Sequence, residues 1–406
     1  MRQGPIRITL AAALTLVSLS GCAWLTRSSR PLPGRTGVST LTVPSISASG
    51  RFTLFGGWPT DYVEPPTTAS RQAMVRDNRG KRIEVVSLGT DGSVADAEAT
   101  PVDISATGRY VLFSSAASNL VPGDTDGLVD AFVRDRTNGK TMLVSVNDDE
   151  SQITDLTTAG IALSGDGSTV VFSAASSGLP PTVNELEVRD LTTGTTRVLP
   201  HLHGAPYVGP AHLSDDGSLV AYGDGVLNGP ASLMWLGIAR TDTGAPVLDL
   251  GSVPMQFSDA GAANVALSGD GTTYAVASGV NKYDAATSGT VTVGRVDGST
   301  APVTHHYRWV RNAYLSRDGS VLAVWILLPS AQQVLAIDRG TDPPLVVSAD
   351  TTGQHAVPVD SYADLSADGK WVTFVTNQNG TMGGDAGDTG WAVYTRSVAQ
   401  VPDPPS

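Results

Sequence analysis

Seven copies of one short phrase recur along this 406-residue chain: an apolar residue, Ser, a variable residue, a small polar residue, Gly, then an apolar run. The copies begin at Ile46, Ile104, Leu163, Leu213, Leu267, Leu315 and Leu365, and their Ser residues stand at 47, 105, 164, 214, 268, 316 and 366. Consecutive Ser residues are 58, 59, 50, 54, 48 and 50 positions apart. A period of this size marks one supersecondary unit used repeatedly, each too small to bury its apolar face alone.

Each unit reads as a four-stranded antiparallel sheet. The phrase is itself a hairpin: a strand ends at the apolar residue, a turn follows at Asp-Gly or its equivalent, and a second strand begins. That second strand is 109–113 in copy two and 370–374 in copy seven. Asp-Gly between apolar runs favours such a turn, because Gly accepts positive φ and Asp bonds nearby backbone. A third strand follows at 131–134 or 186–189. Gly-bearing turns at Asn138-Gly139 and Thr193-Gly194 lead to fourth strands at 141–146 and 196–199. Short, evenly spaced strands of this kind predict an all-β fold, a seven-bladed β-propeller of four-stranded antiparallel blades. The 44 Gly, 25 Pro and 16% charged residues agree with it.

The seventh unit is short of one strand. Its third strand, 391–396, is followed by Ser397 to Pro402 with no further Gly turn. Residues 38–43, Val-Ser-Thr-Leu-Thr-Val, precede copy one and have no sheet of their own. An unpaired sheet edge is a pairing liability. Residues 38–43 are therefore expected to form the outer strand of blade seven and close the ring, with the propeller spanning 37–398 and a tail at 399–406.

The N-terminus gives an expected address. Arg2 and Arg7 form a basic region, and residues 8–19 are an apolar run too short to span a bilayer. Leu19-Ser20-Gly21-Cys22 then resembles a bacterial lipobox, in which the Cys thiol takes a lipid and cleavage falls just before it. Cys22 is the sole Cys of the chain, and lipidation explains a leftover thiol in an exported protein. Residues 1–21 are thus read as a lipoprotein signal peptide and 22–36 as lipidated Cys and tether. A 14-residue spacer from 23 to 36 would reach at most about 50 Å. The expected location is the outer face of the cytoplasmic membrane, with membrane attachment through the lipid.

Losing Arg2 and Arg7 on cleavage would move the net charge from −13 to −15. Such an acidic body has no basic stripe for phosphates, which argues against nucleic acid as a partner.

Leu-Ser-x-Asp-Gly followed by an apolar strand resembles the WD40-like repeat of TolB-type propellers. The run from Ser118 to Gly127, followed by Asp130 to Arg136, resembles blades of secreted actinobacterial propellers of this group. The resemblance covers residues 38–396 and implies the propeller fold and a lipoprotein of the cell envelope. It does not imply an activity. The Pro usual after the repeat Ser is replaced by Ala48, Ala106, Gly165, Asp215, Gly269, Arg317 and Ala367. Only the tether precedes the blades, so a Tol–Pal role is not carried over.

Chemistry-bearing motifs are few. No Ser has Gly at both −2 and +2, and H-E-x-x-H, C-x-x-C and P-loop patterns are absent. Asp124, Asp126 and Asp130 are spaced like part of a calcium loop, although the acidic residue at the twelfth position is missing. An Asx-rich turn accounts for the same residues. Residues 385–388 form a second acidic loop in the corresponding part of blade seven. His201 and His203 share one strand face with His212 not far on, and His305 and His306 are adjacent. Neither set has an identifiable third metal ligand, so a surface or interface role is expected. Arg76, Arg134, Arg189, Arg240, Arg295, Arg339 and Arg396 end the seven third strands. One per blade points to a structural role, such as pairing with turn carboxylates.

Two functions fit. One is a non-enzymatic binding or scaffold lipoprotein, a monomeric propeller whose loops meet an envelope protein, peptide or glycan. The loops at 58–71 and 115–130 are the longest. The other is a hydrolase or lyase with its site in the central funnel. Asp103, His212, Tyr314 and Asp364 each precede a repeat's apolar anchor and are the candidate funnel ligands. Inter-blade hydrogen bonding accounts for the same placement, and convergence of the four in space separates the two readings.

Overall fold

The computed structural model describes residues 25–27, 44–59, 70–176, 184–204, 207–226, 233–254, 263–278, 289–307, 309–327, 333–338, 345–348, 363–376 and 392–398. These residues form seven four-stranded antiparallel sheets, one for each repeat. The inner strands are Ser45–Ile46, Ala99–Ile104, Thr157–Leu163, Tyr207–Leu213, Ala263–Leu267, Val310–Leu315 and Ala363–Leu365. Each touches the inner strands of both neighbours, and blade one meets blade seven, so the ring is closed. In blade two the remaining strands are Tyr110–Ser115, Asp130–Asp135 and Lys140–Leu143, each following the last by a tight or looped hairpin.

The N-terminal closure exists, but not with the segment expected. The outer edge of blade seven is taken by Leu25–Arg27, antiparallel to Ala392–Ser397, with Leu25 opposite Arg396 and Arg27 opposite Tyr394. The place assigned to 38–43 is therefore filled from within the expected tether. Residues 38–43 themselves lie outside the described residues, as do Cys22, 385–388 and 399–406.

The repeat Ser is the pivot of each hairpin. In all seven copies its Oγ accepts the N–H of the residue five positions on, as Phe52 N–H to Ser47 at 2.9 Å and Trp371 N–H to Ser366 at 2.9 Å. Where Asp stands two residues on, the same Oγ donates to it. A buried hydroxyl satisfied in both senses fixes the turn at little cost. The repeat Gly has positive φ in every copy, from +66° to +78°.

Burial follows the ring. Seven apolar clusters lie among the described residues, one at each blade interface. Leu54 and Val75 of blade one pack on Val111, Phe113 and Phe132 of blade two. Strand side chains alternate, so one face of each blade serves one neighbour and the opposite face the other. The blade seven to blade one cluster has four buried members, Phe55, Met74, Val375 and Val393. A hydroxyl pair, Thr53 and Thr395 at 3.0 Å, crosses the same interface.

Candidate functional site

The inner-strand polar groups act as links between blades. Asp103 is the penultimate residue of the inner strand of blade two, just after a register shift between Pro101 and Asp103. Its Oδ1 accepts from Ser45 Oγ of blade one at 2.8 Å and from the Ile104 N–H at 2.7 Å. Its Oδ2 accepts the Leu163 N–H of blade three at 3.0 Å. Asp364 repeats the arrangement: Oδ2 accepts the Ile46 N–H of blade one at 2.9 Å, and Oδ1 its own neighbour's, Leu365, at 2.7 Å. In both cases the carboxylate before one anchor holds the anchor N–H of the next blade.

Three of the four expected funnel groups, Asp103, Tyr314 and Asp364, come together. Asp103 and Asp364 meet around Ser45. Burial raises both carboxyls, and the charge of Asp103 adds to the effect on Asp364, which is pushed up to about 7. Tyr314 lies close enough to feel Asp364; burial first, then that charge, pushes its hydroxyl up to about 12. Its Oη accepts from Asn312 Nδ2 at 3.1 Å. His212, on blade four, is pushed down to about 4 by burial. Chemically, the Asp103–Asp364 pair is a buried acid able to keep a proton near neutral pH, with its oxygens already engaged by backbone.

One mouth of the ring carries a feature the repeat pattern alone does not reveal. The residues after the repeat Ser join blade to blade by backbone hydrogen bonds, Ala48 to Ala106, Ala106 to Gly165, Asp166 to Asp215, Asp215 to Gly269, Asp270 to Arg317, Arg317 to Ala367 and Asp368 to Ala48. The belt returns to its start. Across it, Arg317 Nε reaches Asp215 Oδ2 at 3.1 Å, from blade six to blade four. The carboxylate lies over Gly165 and Gly269, where any Cβ would collide with it. Gly165 and Gly269 thus make room for this pair.

Asp124, Asp126 and Asp130 do come together. Among the described residues they are the one group of three or more metal-ligating side chains whose ligand atoms all lie within 4.8 Å of one another. The loop bearing them is tied down on both sides. Asn119 Nδ2 donates to Val94 O at 2.9 Å, and Asp96 accepts from the N–H and Oγ of Ser118 at 3.0 and 2.9 Å. Asp130 is fully buried and Asp124 is 6% exposed. Burial pushes Asp130 up to about 6 and raises Asp124 also. The third-strand position was legible from spacing; Gln152, which donates to two of these carboxylates, was not, because it sits on the next connection.

Among the described residues no histidine belongs to a cluster of three metal-ligating side chains. His201 Nδ1 lies 3.2 Å from Asp224 Oδ2, and His203 Nε2 lies 3.3 Å from Asp249 Oδ2. His305 and His306 lie on the outer strand Val303–Tyr307 of blade five. Three of the repeated Arg residues, at 134, 189 and 396, link to the preceding blade, whereas Arg295 donates to Thr272 and Thr273 of its own blade at 3.2 and 3.3 Å, and Arg339 lies outside the described residues. Arg189 meets the turn carboxylate of Glu150 at 2.6 Å, as expected. Arg134 and Arg396 instead donate to main-chain carbonyls, Gly89 O at 3.3 Å and Val347 O at 2.7 Å.

No protein-family model matches the chain, and no curated protein matches it. Solved structures do resemble it. An oligogalacturonate lyase in complex with manganese is 12% identical, with a TM-score of 0.55 over 93% of this chain and 97% of that one. The hydrazine synthase of Kuenenia stuttgartiensis is 13% identical, with a TM-score of 0.51 over 85% of this chain and 96% of that one. A putative TolB from Agrobacterium tumefaciens is 16% identical, with a TM-score of 0.41 over 68% of this chain and 86% of that one. At these identities the first two likenesses concern the fold alone, and that fold is the β-propeller.

Proposed function

We propose that the chain is a lipid-anchored, extracytoplasmic propeller serving as a non-enzymatic binding or scaffold module of the cell envelope. The observation that carries the reading is how the inner-strand carboxylates are used: Asp103 and Asp364 spend their oxygens on Ser45 and on the N–H groups of Ile46, Leu163 and their own neighbours. Groups so engaged hold blades together. Recognition then falls to the connecting loops, which a rigid ring presents in fixed positions. The loop at 115–130, laced to the 88–98 connection, is the first surface to examine. The partner is an envelope protein, peptide or glycan, and the net charge of −13 argues against nucleic acid. Cys22 carries the lipid and places the domain on the outer face of the cytoplasmic membrane.

Two experiments test this. Labelling with a palmitate analogue should mark wild type and leave Cys22→Ser unlabelled; equal labelling would defeat the anchor. Cross-linking in native membranes should trap a partner with wild type and lose it when the 118–127 loop is shortened.

A second reading has one observation of its own. Asp364, held near pH 7 beside Asp103 and Tyr314, has the proton affinity of a general acid. Turnover of peptide, ester or uronic-acid substrates by the purified chain, abolished in Asp364→Asn, would establish a hydrolase or lyase in place of the binding module.

A further inference from the structure

The three carboxylates of blade two share an arrangement that goes beyond proximity. Asp126 Oδ1 accepts the Leu128 N–H at 2.9 Å. Asp130 Oδ1 accepts from Ser145 Oγ at 2.7 Å and Thr158 Oγ at 2.9 Å. Asp124 Oδ1 accepts from Gln152 Nε2 at 3.1 Å. Each group is thus oriented through Oδ1. The second oxygens face a different fate. Asp124 Oδ2 and Asp126 Oδ2 are shut from solvent and have no hydrogen-bond partner. Asp130 Oδ2 has Gln152 Nε2 alone, at 3.2 Å. All the donors to these carboxylates are neutral.

Three like charges gathered out of water with no cation repel one another and lack the hydration they would have in solvent. Asp124 is 94% buried by its 6% exposure, so its orphaned oxygen has no route to bulk water. We propose that the Oδ2 atoms of Asp124, Asp126 and Asp130 bind one calcium ion, and that the amide of Gln152 keeps its place when the ion is absent. The donor set fits. All ligands are hard oxygens, and oxygens bound to one calcium at about 2.4 Å lie no more than about 4.8 Å apart; one carboxylate oxygen from each of the three residues lies within that spread. Oxygens fixed by Ser145, Thr158 and Leu128 behind the ligands are the outer support a metal site requires.

Gln152 supplies the exchange. Its Nε2 bridges Asp124 and Asp130, while its Oε1 accepts the Thr125 N–H at 3.2 Å. A half-turn of the amide presents Oε1 to the ion and gives up the Thr125 bond. Calcium fits this better than magnesium, which demands near-ideal octahedral geometry and keeps its waters. The site braces the 118–130 loop against the connection to blade three. The site is independent of the lipid anchor; it lies in the loop named above as the first partner surface, and calcium binding by the purified chain is read separately from cross-linking to a partner.

The test uses the full chain in detergent, stripped with chelator, titrated with calcium chloride alone. Calorimetry should give one ion per chain, and the thermal midpoint should rise by a few degrees in millimolar calcium. Asp124→Asn and Asp126→Asn should each bind at least tenfold more weakly. Without calcium, both should melt above chelator-treated wild type, because a charge has been removed from a repelling set. That opposite sign separates loss of a ligand from loss of folding. Gln152→Ala should weaken binding several-fold, and magnesium should give a smaller midpoint shift. Absence of binding up to about 10 mM calcium, or wild-type affinity in both Asn variants, overturns the site. Wild-type affinity in Gln152→Ala overturns the exchange.

Discussion

Gly108 answers two demands at once. Its φ of +74° is strained for any L side chain, and a Cβ there would enter the Phe52 ring of the preceding blade. Gly92, at +85°, has the first demand without the second, since nothing lies within 4 Å of its would-be Cβ. Gly92→Ala should therefore cost roughly 1 kcal/mol. Gly108→Ala should cost about 2 kcal/mol more, the price of overpacking, and chemical denaturation of the pair of variants measures the difference. Asp364 gives a second test. Its folded-state value of about 7 stands above the ordinary 3.8. The unfolded chain thus releases this proton first as pH rises. The carboxyl costs nothing below about 4, where both states are protonated, and its cost grows until pH passes about 7. The stability of wild type relative to Asp364→Asn should accordingly fall across that window and level above it. A difference that stays flat with pH would show that Asp364 titrates normally.

Among elements, the hairpins were readable and the clasp was not. The Ser-to-backbone bond and the positive-φ Gly are local, so the phrase carries its own turn within a handful of residues. Third and fourth strands of blades two and three fell within two or three residues of their expected ends. Edge pairing on blade seven is decided by chain path around a whole ring, and two short polar-apolar segments, 25–27 and 38–43, both suit it. The carboxylates at 103 and 364 were picked out by position, but their donors lie 60 and 318 residues away, where no spacing rule reaches. Removing residues 1–27 should leave Tyr394, Thr395 and Arg396 on a bare edge. The truncated protein should melt several degrees lower or self-associate through that strand. Differential scanning calorimetry with light scattering checks this, and an unchanged midpoint in a monomer would refute closure by Leu25–Arg27.

At the scale of the whole molecule, strength is shared out around a circle. Each blade interface has its own apolar cluster and belt bond, four of them add links through Asp103, Asp364 or a repeated Arg, and the blade seven to blade one joint has the fewest buried apolar members described. The clasp sits on the outer edge of blade seven, one of the two blades of that joint. Mutating Phe55 or Val375 to Ala, each at most 1% exposed, should open the ring there and cost about 2–4 kcal/mol; limited proteolysis should then cut first near the N-terminal strand. The clasp has a mechanical meaning as well. Cys22 precedes Leu25 by three residues, a reach of about 10 Å at most. A lipid on that thiol would leave almost no leash. The wheel would stand on its rim, blade seven toward the bilayer, with its axle lying along the membrane plane and both hubs open sideways. A fluorophore on blade seven should then be quenched by headgroup-labelled lipid, and one on blade three spared.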